Sequence, residues 1–197
     1  MDQSNADDFE SRLPKDGDCL FKSFTWAYDA HVVRDPSERF YRMPMGYKRA
    51  GDLLIDQAAA NVVDRTNVIY PALFCYRQSI ELFLKRFIEE FGSGREDPAR
   101  NSHQLSVLWG SFMKIATEHG MGDSIELHAA GALVTELHDA DERSDGFRFP
   151  SDGKGNAFRF GDQGIDLDNL REVMQGLDNL FECTYMAISY QHDGGMP

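Results

Sequence analysis

Charged side chains recur every four positions within one apolar stretch, YPALFCYRQSIELFLKRFIEEF, at residues 70–91. These are Arg77, Glu81 and Lys85. Residues at this spacing are neighbours on a helix surface, so Glu81 can hold both cations while their methylene stems cover apolar surface. We interpret the three side chains as a polar ladder at the edge of the core. The alternative interpretation makes Arg77 an anion contact in a groove.

Three further residues are candidates for chemistry. His103 follows Asn101 and Ser102 at a predicted helix start. It is either a polar residue of the cap region or an acid and base, because an imidazole titrates near neutrality. Asp145 and Arg148 lie in a Gly-rich connector that either closes as a salt-bridged flap or presents Arg148 to a phosphate. The candidate ligand-binding or polar cluster is therefore Arg77, Glu81, Lys85, His103, Asp145 and Arg148, with no catalytic residue assigned.

The sequence predicts no metal site and no cofactor. His138 is followed by three carboxylates within residues 139–142, but successive loop carboxylates are commonly solvated and the calcium-loop spacing is absent. Cysteine and histidine do not occur at zinc-binding spacing. Cys75 and Cys183 lie within apolar helical patterns, which predicts that both are thiols of the core.

Helices must position these candidates. Large apolar residues recur every three or four positions over five segments, and the last of them carries a regular heptad-like stripe that can extend to a partner helix across a dimer. The fold class is therefore all-α, an antiparallel four- to five-helix bundle. A small extended or hairpin connector is predicted near 147–160, where FRFP and FRF flank a Gly-rich turn. The predicted helices span residues 46–63, 70–91, 103–118, 123–140 and 167–190.

Composition predicts one main domain with an N-terminal extension. Residues 1–18 are polar and acidic, and we expect them to be flexible. Residues 19–45 are rich in aromatic side chains and interrupted by Pro36 and Pro44, which predicts an arm that packs on the bundle. Residues 46–197 form the bundle itself.

Charge and hydropathy exclude several function classes. The formal net charge of the 197 residues is -13, which disfavours general binding to nucleic acids. The N-terminus has no apolar signal-peptide region, and no run of about 18 apolar residues predicts a membrane span. The three widely spaced cysteines do not indicate a disulfide framework. We therefore expect a cytoplasmic protein without a membrane partner.

Three segments in order carry a family resemblance: YPALFCYRQSIELFLKRFI, HQLSVLW and DGFRFPSDGKG. Together they resemble a bacterial branch of the HEPN superfamily (higher eukaryotes and prokaryotes nucleotide-binding), whose members are small helical bundles. In the ribonucleases of that superfamily an arginine precedes a histidine by four to six intervening residues, usually at a dimer interface. No histidine of this chain has an arginine at that spacing. The resemblance thus implies the fold, a homodimer and a bacterial defence or stress context, without the nuclease motif.

A second resemblance concerns the N-terminal segment. Residues 16–21, DGDCLF, resemble the nucleophile motif of ovarian-tumour-type cysteine proteases. In that family a downstream histidine activates the cysteine, so the resemblance nominates Cys19 with His192 as its base. The sequence offers little of the β-sheet that such a protease needs.

Three functional hypotheses follow. The leading hypothesis is a non-catalytic binding or assembly module, homodimeric, accessory to a bacterial defence, toxin–antitoxin or regulatory system, with a nearby-encoded protein as a further partner. The second is a divergent metal-independent ribonuclease or nucleotide-modifying enzyme that uses Arg77, His103 and Arg148. The third is the cysteine protease acting through Cys19. A basic groove would favour the enzyme, whereas burial of Arg77, His103 and Arg148 as paired residues would favour the module.

Overall fold

The computed structural model describes residues 13–14, 16, 18–21, 30, 32–92, 97–152, 154–158, 164–192 and 194. Of these residues, 71% are helical and none lies in a strand, which confirms the all-α class. The chain separates into two compact units, Met1–Val33 and Arg34–Pro197. The second unit contains α1 (Pro36–Ala60), α2 (Asp64–Phe91), a 3₁₀ turn (Pro98–Asn101), α3 (Leu105–Glu118), α4 (Ile125–Ala140) and α5 (Leu167–His192).

The first helix begins ten residues earlier than the sequence predicted. Pro36 starts it, because a proline in the first turn loses no helical hydrogen bond, and the Asp35 carboxylate accepts the N–H of Glu38 at 2.8 Å. Pro44 lies inside the helix without ending it. The expected boundary between arm and bundle at residues 45 and 46 is therefore wrong, because residues 36–45 are the first turns of α1.

The remainder of the predicted N-terminal extension is only partly described. Most of the acidic segment 1–18, and residues 22–29 of the predicted arm, lie outside the described residues. Within residues 32–92, no helix is long and apolar enough to cross a membrane, and the same holds for the other described helices.

The second helix is the centre of the core, as its apolar spacing predicted. Phe87 is fully buried, and its ring lies 4.5 Å from that of Phe112 on α3. Phe83 stacks at 4.6 Å on Phe181 of α5. These ring pairs fix the neighbours of α2 on two sides. The predicted inward residues Leu73, Tyr76, Ile80, Phe83, Leu84 and Phe87 are all buried, and Phe91 is half-buried against the cluster.

A short polar segment ends α3 and begins α4. Gly120, at a φ of 79°, follows α3, and Ser124 caps α4 by accepting the N–H of Leu127 at 3.2 Å. The predicted extended connector near 147–160 forms one antiparallel bridge, between Ser151 and Ala157, with no strand in its described part.

The prediction that Cys75 and Cys183 are both thiols of the core is wrong for Cys183. Cys75 is half-buried on α2, but Cys183 is exposed on α5. The buried face of α5 passes through Leu177, Phe181 and Thr184. Cys183 points away from that face because two residues along a helix correspond to a rotation of about 200°.

The closest approach of α1 to α2 generates a prediction. A Cβ added to Gly51 would lie 2.6 Å from two ring atoms of Tyr76, which is buried and held by its hydroxyl on Asp52. We expect Gly51→Ala to lower the free energy of unfolding in urea, because the helices must move apart, although alanine favours helix by about 1 kcal/mol.

Gly46→Ala on the same helix is the matched control, since a Cβ there has no neighbour within 4 Å. It should leave stability unchanged or raise it by up to about 1 kcal/mol. Equal effects of the two substitutions would contradict this close approach of α1 to α2.

Candidate polar site around Arg77

Arg77 lies at the centre of the predicted cluster and is fully buried. Its Nη1 donates to Glu81 Oε2 at 2.9 Å and its Nη2 donates to the backbone carbonyl of His103 at 2.8 Å. Its Nε donates to the carbonyl of Asp141 at 3.1 Å and lies 3.4 Å from Asp141 Oδ2. All three guanidinium nitrogens are therefore directed at protein acceptors on three separate segments, not at solvent.

Glu81 connects Arg77 to the other predicted members of the ladder. Its Oε1 accepts Lys85 Nζ at 2.9 Å and faces His103 Nδ1 at 2.8 Å. Burial alone raises the pKa of a carboxyl group, but the hydrogen bonds from Lys85, His103 and Arg77 outweigh it and hold the Glu81 pKa below its ordinary 4.5. Glu81 is therefore a carboxylate at neutral pH.

Asp141, which follows α4, closes the cluster from the connector side. Its Oδ1 accepts the backbone N–H groups of Asp145 and Gly146 at 2.8 and 2.9 Å. The intervening turn places Ser144 at a φ of 61°. Asp141 is buried, so one carboxylate both holds the connector in a tight turn and faces the Arg77 guanidinium. The sequence singled out Asp141 only as one of several loop carboxylates.

The predicted cluster is brought together only in part. Asp145 joins it through its backbone N–H alone. Arg148 is exposed, and its Nε donates to the carbonyl of Ser144 while its guanidinium lies 5.9 Å from the Phe74 ring centroid. Arg148 therefore makes its described contacts outside the Arg77 cluster.

His103 is the member of the cluster that faces solvent. Its side chain is 69% exposed, while Nδ1 is held by the buried carboxylate of Glu81. A carboxylate on one ring nitrogen fixes the orientation of an imidazole. The pair can thus accept or donate a proton at the surface, but the neighbouring guanidinium of Arg77 is inaccessible.

A second polar cluster, which the sequence did not single out, joins α1, α2 and α5. Lys48 Nζ donates to Asp52 and to Gln175 of α5, both at 2.9 Å. Asp52 also accepts the hydroxyl of Tyr76 at 3.0 Å and pairs with Arg171 at 3.0 Å. Burial, together with the Asp52 charge and hydrogen bond, raises the pKa of Tyr76. In the sequence, the i,i+4 spacing of Lys48 and Asp52 was the feature that could have indicated this cluster.

A cleft adjoins this second cluster, between α1, α2 and α5. Tyr41, Lys48, Arg86 and Asp178 are among its lining residues, and its water-accessible volume is about 20 Å³. Burial raises the pKa of the Asp178 carboxyl. This volume has room for very few water molecules. A small-molecule site is usually far larger.

Two further candidate residues, Cys19 and His192, belong to different units of the chain. Cys19 is exposed in the first unit, and the His192 ring contacts His119 and Phe91 in the second. In the part of the chain that the structure describes, no three His, Cys, Asp or Glu side chains are grouped to hold a metal ion. Comparison of the chain with protein-family models, curated proteins and solved structures gives no match.

The burial of Arg77 predicts a large cost for its removal. We expect Arg77→Met to destabilise the fold by about 3–5 kcal/mol, because Glu81 and Asp141 would remain buried without their shared cation. Chemical denaturation measures this. Arg42→Met is the control, since its pair with Glu38 is exposed and contributes less than about 1 kcal/mol. Similar losses in both variants would contradict a special role of Arg77.

The lowered pKa of Glu81 predicts a pH dependence. A carboxyl group whose pKa is lower in the folded state contributes stability above its unfolded pKa, and this contribution is lost as the pH falls through the folded value. We therefore expect the difference in unfolding free energy between the wild type and Glu81→Gln to be largest near pH 7 and to shrink below about pH 4.5. Urea denaturation at a series of pH values tests this, and a constant difference would contradict it.

Proposed function

We propose that this chain is a non-catalytic binding or assembly module that acts as a homodimer. The observation that carries the proposal is the burial of Arg77, whose nitrogens are all directed at protein acceptors. Phosphoryl-transfer chemistry needs an accessible cation to stabilise the developing negative charge. The arginine that best fitted that role in the sequence instead supports the fold.

The outer face of α5 is the surface that we assign to the partner. One side of this helix carries four residues at successive spacings of three, one and three positions: Cys183, Met186, Ala187 and Tyr190. All four are exposed, and Met186 and Tyr190 each retain 64% of their accessible surface. An apolar stripe outside the core is typical of a helix that packs against a second helix.

The occupant that we assign to this face is a second copy of the chain. The heptad-like stripe of α5 is buried in its own bundle, which leaves the outer face of the helix to pack against the same face of a partner. The formal charge of -13 per chain opposes this association at long range. Salt should therefore strengthen the dimer, whereas it would weaken a complex with nucleic acid.

The biological context of the proposal rests on the resemblance to the HEPN superfamily. That resemblance supports a module accessory to a bacterial defence, toxin–antitoxin or regulatory system, and the cytoplasmic location that the composition predicts is part of the same proposal. Under this proposal a protein encoded nearby is the further partner. The helical architecture is compatible with it, and the exposed face of α5 supplies the assembly surface.

Self-association through α5 can be tested by measuring the molecular mass of the protein in solution. We expect sedimentation equilibrium to show a dimer whose dissociation constant falls as sodium chloride is raised. Met186→Glu combined with Tyr190→Glu should give a monomer with unchanged helix content, because buried carboxylates in the interface are costly.

Ile125→Glu is the control for added charge, since Ile125 is 77% exposed at the start of α4. It should remain dimeric. A monomeric wild type at all salt concentrations, or a dimer that the α5 variants do not weaken, would refute the assigned interface.

One observation favours the alternative of an enzyme. The exposed His103 ring, oriented by Glu81, is suited to proton transfer. Our proposal predicts that the purified protein does not cleave single-stranded RNA in the presence of EDTA. Cleavage that persists through purification and is lost in His103→Gln, with the fold intact, would make the ribonuclease hypothesis correct.

A further inference from the structure

Two histidines meet where the C-terminal ends of α3 and α5 come together. His119 is the C-cap residue of α3, and His192 is the last residue of α5. Their Nε2 atoms are 3.2 Å apart, and the ring centroids are separated by 5.3 Å. The His192 ring also lies 5.5 Å from that of Phe91. His192 is exposed and His119 is half-buried, so an ion can reach the pair from the side of His192.

The hydrogen bonds of His119 determine its tautomer. Its Nδ1 lies 2.8 Å from the backbone carbonyl of Ile115. Since a carbonyl oxygen can only accept, Nδ1 carries the proton, and the Nε2 of neutral His119 presents a lone pair towards His192. A histidine that binds a metal usually donates its other ring N–H to just such a backbone carbonyl.

The separation of the two nitrogens fits coordination. Imidazole nitrogens lie about 2.0–2.1 Å from a tetrahedral zinc ion, which places two of them about 3.3 Å apart. The observed separation is 3.2 Å. The same separation is also compatible with an N–H···N hydrogen bond between the rings.

The electrostatic surroundings favour a cation. Each helix C-terminus carries a partial negative charge from its aligned peptide dipoles, and the side chains of His119 and His192 meet at two such ends. The formal charge of -13 further raises the local concentration of cations. One divalent ion can accept the lone pairs of both rings.

We propose that His119 and His192 form a surface site for a divalent transition-metal ion of the zinc class. Each neutral imidazole supplies its Nε2 lone pair, the proton of His192 resides on Nδ1, and water molecules complete the coordination. Imidazole is a preferred ligand of such ions. The bound ion clamps the end of α3 to the end of α5, independently of the function proposed for the outer face of α5.

Calorimetric titration of the tag-free protein with zinc chloride tests the site. We expect saturable binding of one ion per chain and a rise in the thermal midpoint, because the ion binds only the folded arrangement. His119→Ala and His192→Ala should each weaken binding at least about tenfold, since the second ligand of a chelate acts at high effective concentration. With Cu²⁺ as the probe, electron paramagnetic resonance should show two nitrogen ligands.

His128→Ala is the matched control, because His128 is an exposed histidine on α4. It should bind zinc as the wild type does. Helix content measured by circular dichroism confirms that each variant is folded. The absence of binding at millimolar zinc, or equal binding by the wild type and both site variants, would overturn the proposal.

Discussion

The fold of this chain depends on one buried guanidinium group. Arg77 joins its own helix through Glu81, the segment before α3 through the carbonyl of His103, and the segment after α4 through Asp141. Burying a cation is costly unless every donor finds an acceptor. The two connecting segments can therefore not shift independently, since a displacement of either would leave a buried charge or donor unpaired.

The residue next to Arg77, Tyr76, makes a second polar contact, which joins α2 to α1 and α5. The Tyr76 hydroxyl binds Asp52 of α1, which in turn pairs with Arg171 of α5. Between these contacts the aromatic rings of α2 pack on α3 and α5 without directional bonds. Apolar packing supplies most of the burial, and the two polar clusters select one arrangement of the helices.

Because most of the predicted polar cluster holds the fold together, both functional proposals concern residues at the surface. The cations that resembled a ligand-binding ladder are largely engaged in holding the fold, although His103 retains an exposed ring. Both surface proposals involve the C-terminal half of α5, on different residues. Dimer formation through Met186 and Tyr190 changes the mass of the protein in solution, whereas zinc binding at His119 and His192 is detected by calorimetry and by the thermal midpoint. Either proposal can therefore fail without the other.

The sequence by itself determined that the chain is helical, the central position of α2 and its inward aromatic face, because these follow from apolar residues recurring every three or four positions, but it did not place the start of α1. It also placed Arg77, Glu81 and Lys85 on one side of that helix. Periodicity shows which side of a helix a residue occupies, but not which backbone carbonyl of another segment faces it. Only the tertiary structure therefore decided that Arg77 is buried, that Asp141 and the His103 carbonyl are its acceptors, and that His119 meets His192 across 73 positions of sequence.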